Sequence, residues 1–363
     1  MPTLTDLAAL REPFPHLRER VYLDTAAAGL TWHGHGAAVA RFYDDIKSRG
    51  YDARPEWQAM TQKVRARLAG LFGVAPTDVT FVSNTTEGLN LAAQSLQVGA
   101  GERIVLAADE FPSVARIWDA ARRLGAEVVR VPIASEEARE STLLSALDAR
   151  TRLLVVSHTH SSTGTTVNLD RMGEHCRQRG VLLMVDGVQA LGAVPTGLSH
   201  VDIYAASFFK WMLSGFGVGV LVTSARARAT MKPAYHGYAN MEDASQLQYA
   251  HVNVPAMYGL DATLDFFEQV GWATVHRRVR ELGAHLIEAA ARHGLDVVTP
   301  AALCAGIFVL QCPDGEAARQ QLVALNISVS ARGKGVRVSP HFYNTTEEID
   351  QCLSALAGLV VQP

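Results

Sequence analysis

Between Val79 and Val222 the chain alternates short, β-branched apolar runs with longer segments of helical spacing. The runs are Val79–Val82, Arg103–Ala107, Glu127–Pro132, Leu153–Ser157, Val181–Val185 and Ile203–Ala206, and Gly217–Val222 reads as one more buried strand. Segments such as Glu87–Ser95, Ser113–Leu124 and Leu169–Arg179 carry helix-like spacing. Strands separated by helices of that length require crossover connections, which build a mostly parallel sheet with helices on its faces. The expected class is therefore α/β.

Past Val254–Pro255 the pattern changes to long helical stretches, Tyr258–Gln269 and Ala273–His293, followed by short strands near Gly306–Gln311 and Val336–Ser339. The tail Thr345–Val360 reads as a helix with Thr346 as its cap ahead of Glu347 and Glu348. We expect a large α/β unit over residues 21–254 and a small α+β unit over residues 1–20 and 255–363. With 363 residues, 48% of them hydrophobic, the chain can bury a full core, which excludes disordered and small stapled classes. A net charge of −3 gives no footprint for nucleic acid or an anionic membrane. No apolar run reaches spanning length, and Met1–Asp6 lacks the layout of a secretory leader. The four cysteines, Cys176, Cys304, Cys312 and Cys352, form no Cys-x-x-Cys pair and fit a reducing cytoplasm.

Open parallel sheets bind ligands beyond the carboxyl ends of their strands, so the polar residues that follow each run are the informative ones. Ser83-Asn84-Thr85-Thr86-Glu87-Gly88 opens a helix, where free N–H groups and hydroxyls can seat a phosphate; alone it is more often an ordinary cap. His158 to Gly164, Asp186-Gly187-Val188-Gln189 and Ser207-Phe208-Phe209-Lys210 follow three further runs. A lone Asp there is usually a turn former and a lone Lys usually solvated. Lys210 differs because Phe208, Phe209, Trp211 and Met212 crowd it. Desolvation lowers a lysine pKa, the condition for Schiff-base chemistry. One cofactor uses a phosphate seat, a buried carboxylate and a desolvated lysine together: pyridoxal 5'-phosphate. His33-Gly34-His35 and His158-Thr159-His160 lack companions at ligand spacing, so no metal is expected. Gly215-Phe216-Gly217-Val218-Gly219 precedes a strand instead of opening a helix and is no dinucleotide turn. Trp32 and Trp57 are candidates to border a substrate entrance.

Tyr22-Leu23-Asp24-Thr25-Ala26-Ala27, Asp186 to Gly192, Ser207 to Trp211, Gly217-Val218-Gly219 and His341 to Thr345 occur in an order and spacing that resemble the class V aminotransferases of fold type I. That group holds cysteine desulfurases, related C–S lyases and isopenicillin N epimerase-like proteins, and the resemblance covers nearly the whole chain. It implies that Lys210 binds the cofactor aldehyde and later moves protons at the substrate α-carbon, and that Asp186 pairs with the pyridinium. Gln189 would bond the phenolic oxygen, with Ser161 or Thr163 beside it, and Thr85, Thr86 and Ser207 would hold the phosphate. Phe111 would lie on the cofactor face and Arg337 would clamp the substrate carboxylate. The family builds shared sites in homodimers, which makes Tyr249, His251 and Asn253, within Tyr235–Asn253, candidates to reach the partner's cofactor. Phe111 and Phe209 stand where desulfurases commonly have His, and no cysteine lies between Asn326 and Val336, ahead of Arg337. The resemblance thus implies an enzyme acting on an amino acid, with elimination of a sulfur leaving group placed first. Transamination, racemisation or epimerisation, and a catalytically silent binding homologue are the alternatives.

Overall fold

The computed structural model describes residues 7–241, 246–333 and 335–360. Seven strands form the main sheet: β1 (Val79–Val82), β2 (Arg103–Ala107), β3 (Glu127–Val131), β4 (Thr151–Ser157), β5 (Leu182–Asp186), β6 (Ile203–Ser207) and β7 (Gly219–Thr223). Their order is β1-β7-β6-β5-β4-β2-β3. The five strands from β6 to β3 are parallel, and β7 runs antiparallel to both β6 and β1. Strands β5 and β6 are buried at every residue, because both faces of the sheet are covered. Leu154, Val156, Leu183, Val185 and Ala206 enter the core on one face. Leu153, Val155, Leu182, Met184 and Ala205 enter the core on the other.

The longer helices are α1 (His33–Arg49), α2 (Arg54–Phe72), α3 (Thr85–Leu96), α4 (Leu169–Gln178), α5 (Val254–Val270), α6 (Trp272–Arg292), α7 (Gly315–Ala324) and α8 (Thr346–Val360). Helix α3 covers one face with Leu89 and Ala92, while α2, α4 and α5 cover the other with Leu68, Met172 and Leu260. The segment expected as one helix over Ser113–Leu124 forms two short ones, Pro112–Arg116 and Asp119–Arg123. At the break between them, Trp118 is buried in the core. The cap of α8 is Thr345, one residue earlier than expected. Its hydroxyl accepts the Glu348 N–H at 3.2 Å, and the Glu348 carboxylate accepts the Thr345 N–H at 3.0 Å. That reciprocal pair is a capping box, which Thr346 cannot make.

Near the C-terminus, β8 (Phe308–Gln311), β9 (Ser330–Arg332) and β10 (Gly335–Val338) form an antiparallel sheet in the order β9-β10-β8. Val21–Tyr22 pairs in parallel with Ile327–Ser328, and Leu23 joins the core beneath this sheet. Phe14 packs against Phe266, Phe342 and Tyr343. Among the described residues no helix is long and apolar enough to cross a membrane.

Candidate active site

The carboxyl ends of β4, β5 and β6 deliver Ser157, Asp186 and Ser207 to the N-terminus of α3. Together with Thr85, Thr86, Phe111, Ser161, Gln189, Phe209 and Lys210 they line a cavity of about 180 Å³. Asn84 caps α3 by accepting the Glu87 N–H at 2.9 Å. Thr85 and Ser207 lock together across the gap between helix and sheet. The Ser207 hydroxyl accepts the Thr85 N–H at 2.7 Å, the Thr85 hydroxyl accepts the Ser207 N–H at 2.8 Å, and the hydroxyls bond each other at 2.8 Å. Two hydroxyl hydrogens are available and one is used within the pair, so one remains to donate into the cavity. Thr86 is exposed to the cavity, its hydroxyl resting on Ser113 at 2.9 Å. Helix polarity adds its positive end at the same place. An anion fits here.

Asp186 is buried at the end of β5, and its carboxylate accepts the Val188 N–H at 3.0 Å. Burial pushes this carboxyl well above the usual carboxylate range and pushes the Lys210 ammonium down, while each charge opposes the shift of the other. Close approach of glycine backbone builds the turn around Lys210. Gly29 donates its N–H to the Phe209 carbonyl at 2.8 Å, and a Cβ on Gly29 would meet the Lys210 carbonyl oxygen at 2.0 Å. Gly192, at φ +98°, abuts the Trp211 backbone in the same way. The amide of Gln189 has a defined orientation: Trp211 Nε1, a donor only, reaches its oxygen at 3.0 Å, and its NH₂ donates to the Ala26 carbonyl at 3.0 Å. One N–H of Gln189 is left for the cavity.

Arg337, 1% exposed, is one residue removed from the cavity wall. It donates to the carbonyl of Ser161 at 3.3 Å and only weakly to Asp24 at 3.4 Å, and its Nε has no partner. Burial lowers its pKa to about 10, which leaves it charged at neutral pH. A buried, under-bonded guanidinium beside Ser161 suits a carboxylate.

Other expected residues lie elsewhere. Thr163 is outside the cavity wall; its hydroxyl serves Glu136 at 3.2 Å, in a network with His160 and buried Arg139. Asn253 caps α5 and donates to the Gly217 carbonyl at 3.0 Å, outside the cavity of its own chain. Tyr249 and His251 line a neighbouring hollow with Asn253. Trp32 stacks on Phe266 and Trp57 packs on Phe42, so neither borders the cavity. Sequence reasoning passed over Glu110, a buried carboxylate that accepts both the N–H (3.0 Å) and the hydroxyl (2.6 Å) of Ser157. Its position directly before Phe111, just after a strand, was the available signal. None of the four cysteines lines the cavity, and none is paired. No group of metal-binding side chains occurs among the described residues.

An anion seat at a helix start, a buried carboxylate and a desolvated lysine around one cavity, on an α/β sheet, define a pyridoxal phosphate-dependent enzyme. The aminotransferase class-V family matches residues 21–352, and the chain belongs to it. An isopenicillin N epimerase of Amycolatopsis lactamdurans is 30% identical over 94% of this chain and 97% of its own. A probable cysteine desulfurase of Methanothermobacter thermautotrophicus is 25% identical over 96% and 98%. Among solved structures, a complex of the cystine C–S lyase C-DES with its reaction product cysteine persulfide superposes with a TM-score of 0.88, at 25% identity over 95% of this chain and 99% of that one. The apo cysteine desulfurase of Thermococcus onnurineus NA1, 21% identical over 99% of both chains, shares the fold at a TM-score of 0.88. Pyridoxal 5'-phosphate is the cofactor of this family and fits the residues present here.

Proposed function

We propose that the enzyme cleaves the C–S bond of a cysteine-derived amino acid by β-elimination, with no persulfide relay. The observation that carries this reading is the cavity wall itself, where, among the described residues, Lys210 is the only basic side chain and no thiol occurs. Thr85, Thr86 and Ser207 hold the cofactor phosphate, Asp186 holds the ring nitrogen, Gln189 the phenolic oxygen, and Phe111 and Ser161 flank the ring. When bound, the cofactor supplies a sink for the electron pair left at the α-carbon. Arg337 holds the substrate carboxylate, Lys210 takes the α-proton, and the Cβ–S bond breaks to release a thiol. The resulting 2-aminoacrylate takes up water to give pyruvate and ammonia. Phe111 and Phe209 cannot carry protons, which leaves Lys210 to move the α-proton while Asp186 is engaged at the ring nitrogen.

Incubation with an S-alkyl cysteine should yield thiol, pyruvate and ammonia in equal amounts, and replacing all four cysteines should leave turnover largely intact. A folded, cofactor-loaded cysteine-free variant without activity would refute the absence of a relay. Epimerisation is the second reading, favoured by the 30% identity to an isopenicillin N epimerase. It predicts inversion of the α-carbon with solvent deuterium incorporated and no pyruvate. A keto acid regenerating the cofactor from its amine form would point instead to transamination.

We further infer a homodimer in the cytoplasm. Supporting this are unpaired cysteines and the exposed Tyr51, Phe216 and Tyr238 around the hollow and turn that carry Tyr249, His251 and Asn253. Sedimentation at working concentration should give twice the 39.2 kDa chain mass. A fully active monomer would overturn the shared site.

A further inference from the structure

The hairpin that carries Arg337 carries a second arginine on the same face. In the antiparallel register of β9 and β10, Ser330 lies opposite Arg337 and Arg332 opposite Gly335. Side chains alternate along a strand, so Ser330, Arg332 and Arg337 share one face, and the two arginines are diagonal neighbours. Among the described residues, the carboxylate bonded to this face is that of Asp24. It accepts the Ser330 hydroxyl at 2.8 and 2.7 Å and Arg337 only at 3.4 Å. Arg332, half-buried, donates to the carbonyl of its own neighbour Ala331 at 2.8 Å and to no other group among the described residues. Two guanidinium groups thus face one carboxylate that a serine already holds. Arg337 reaches the carbonyl of Ser161, which lines the cavity, so this excess of positive charge lies behind the cavity wall.

We propose that Arg332 forms a second anion subsite beside Arg337, and that the substrate is an amino acid whose side chain carries its own carboxylate. The inference rests on the reading that Arg337 takes the α-carboxylate. A planar fork with free N–H groups binds a carboxylate bidentately, and a neutral side chain of the same shape leaves it unpaired. S-carboxyalkyl cysteines satisfy this requirement and the elimination chemistry together.

The test uses ligands that lack a sulfur leaving group, so that it is independent of reaction type. Cofactor-loaded enzyme is titrated with L-glutamate and with its neutral isostere L-glutamine, and Kd is read from the visible cofactor spectrum. Glutamate should bind about tenfold or more tighter, the range of one charge-assisted bond. Arg332→Gln should abolish the difference while leaving glutamine affinity unchanged, and Arg332→Lys should restore part of it. Equal affinities in the wild type, or a preference that survives Arg332→Gln, would overturn the subsite while leaving the amino-acid reading intact. Failure of every amino acid to perturb the spectrum would overturn both.

Discussion

Two adjacent threonines at the start of α3 should respond to the same substitution in opposite ways. Thr85→Val deletes the oxygen that accepts the Ser207 N–H and bonds the Ser207 hydroxyl, both at 2.8 Å. Valine has the shape of threonine, so no cavity opens; the cost is a buried N–H without an acceptor, about 1–3 kcal/mol. We expect the cofactor-free protein to lose about 2 kcal/mol, visible as a lower urea midpoint at unchanged slope. Thr86 is exposed, and Thr86→Val gives up only its bond to Ser113. Its stability should change by less than about 0.5 kcal/mol. Its cofactor affinity should fall, because a hydroxyl bonded to phosphate is charge-assisted and contributes about 1.5–3 kcal/mol, or roughly 10–100-fold in Kd. Quenching of tryptophan fluorescence reports binding, since Trp211 adjoins Lys210. Wild-type cofactor affinity in Thr86→Val would refute the phosphate seat on α3. Wild-type stability in Thr85→Val would refute the interlock.

Asp186→Asn should stabilise the cofactor-free protein at neutral pH, because it removes a carboxylate whose ionised form burial disfavours, yet weaken cofactor binding. Lower urea stability for the variant at neutral pH would contradict this. Arg337→Gln should raise KM for amino acids far more than it changes cofactor affinity; equal KM values in the two proteins would remove Arg337 from substrate binding. His341 accepts the Phe342 N–H at Nδ1 (2.7 Å) and donates from Nε2 to the Trp211 carbonyl (2.9 Å), so its neutral form is built in and burial drops its pKa to about 3. A depressed histidine pKa contributes stability above the unfolded value near 6.5 that is lost as pH falls toward 3. Urea midpoints measured from pH 7 to pH 4 should therefore fall, and less steeply in His341→Gln; identical slopes would refute the assignment.

Much of the cavity was legible because a parallel sheet presents its ligand-binding residues immediately after apolar runs. Asp186, Ser207, Lys210 and the Thr85-Thr86 pair each follow such a run within a few positions and line the cavity. Helices α1 and α2 were not anticipated: both are rich in charged residues, and few positions of α1 are buried. Glu110 escaped notice because its partner, Ser157, is 47 residues away, a pairing that only the adjacency of β2 and β4 creates. Thr163 was offered as an alternative to Ser161, and Asn253 as a contact to a partner's cofactor. In this chain their polar atoms are engaged by Glu136 and Gly217. Arg332 carries no signal in composition or spacing, since its meaning depends on strand register.

Residues 24–29 explain how Arg337 and Lys210, 127 positions apart in sequence, can be held in one frame. Asp24 bridges to Ser339, two residues beyond Arg337, and Thr25 donates to the Ser339 carbonyl at 3.2 Å. The Ala26 carbonyl accepts the Gln189 NH₂, and the Gly29 N–H donates to the carbonyl of Phe209, next to Lys210. His341 closes the frame from the other side on the Trp211 carbonyl. The strand that carries Arg337, the Gln189 amide and the turn that carries Lys210 are thus bonded to one short segment of backbone. For the roles proposed above for Arg337 and Lys210, that arrangement would fix the substrate's orientation before binding, without relying on flexible loops. It also accounts for the glycine at position 29: any side chain there would separate the segment from the lysine turn and break the frame at its tightest point.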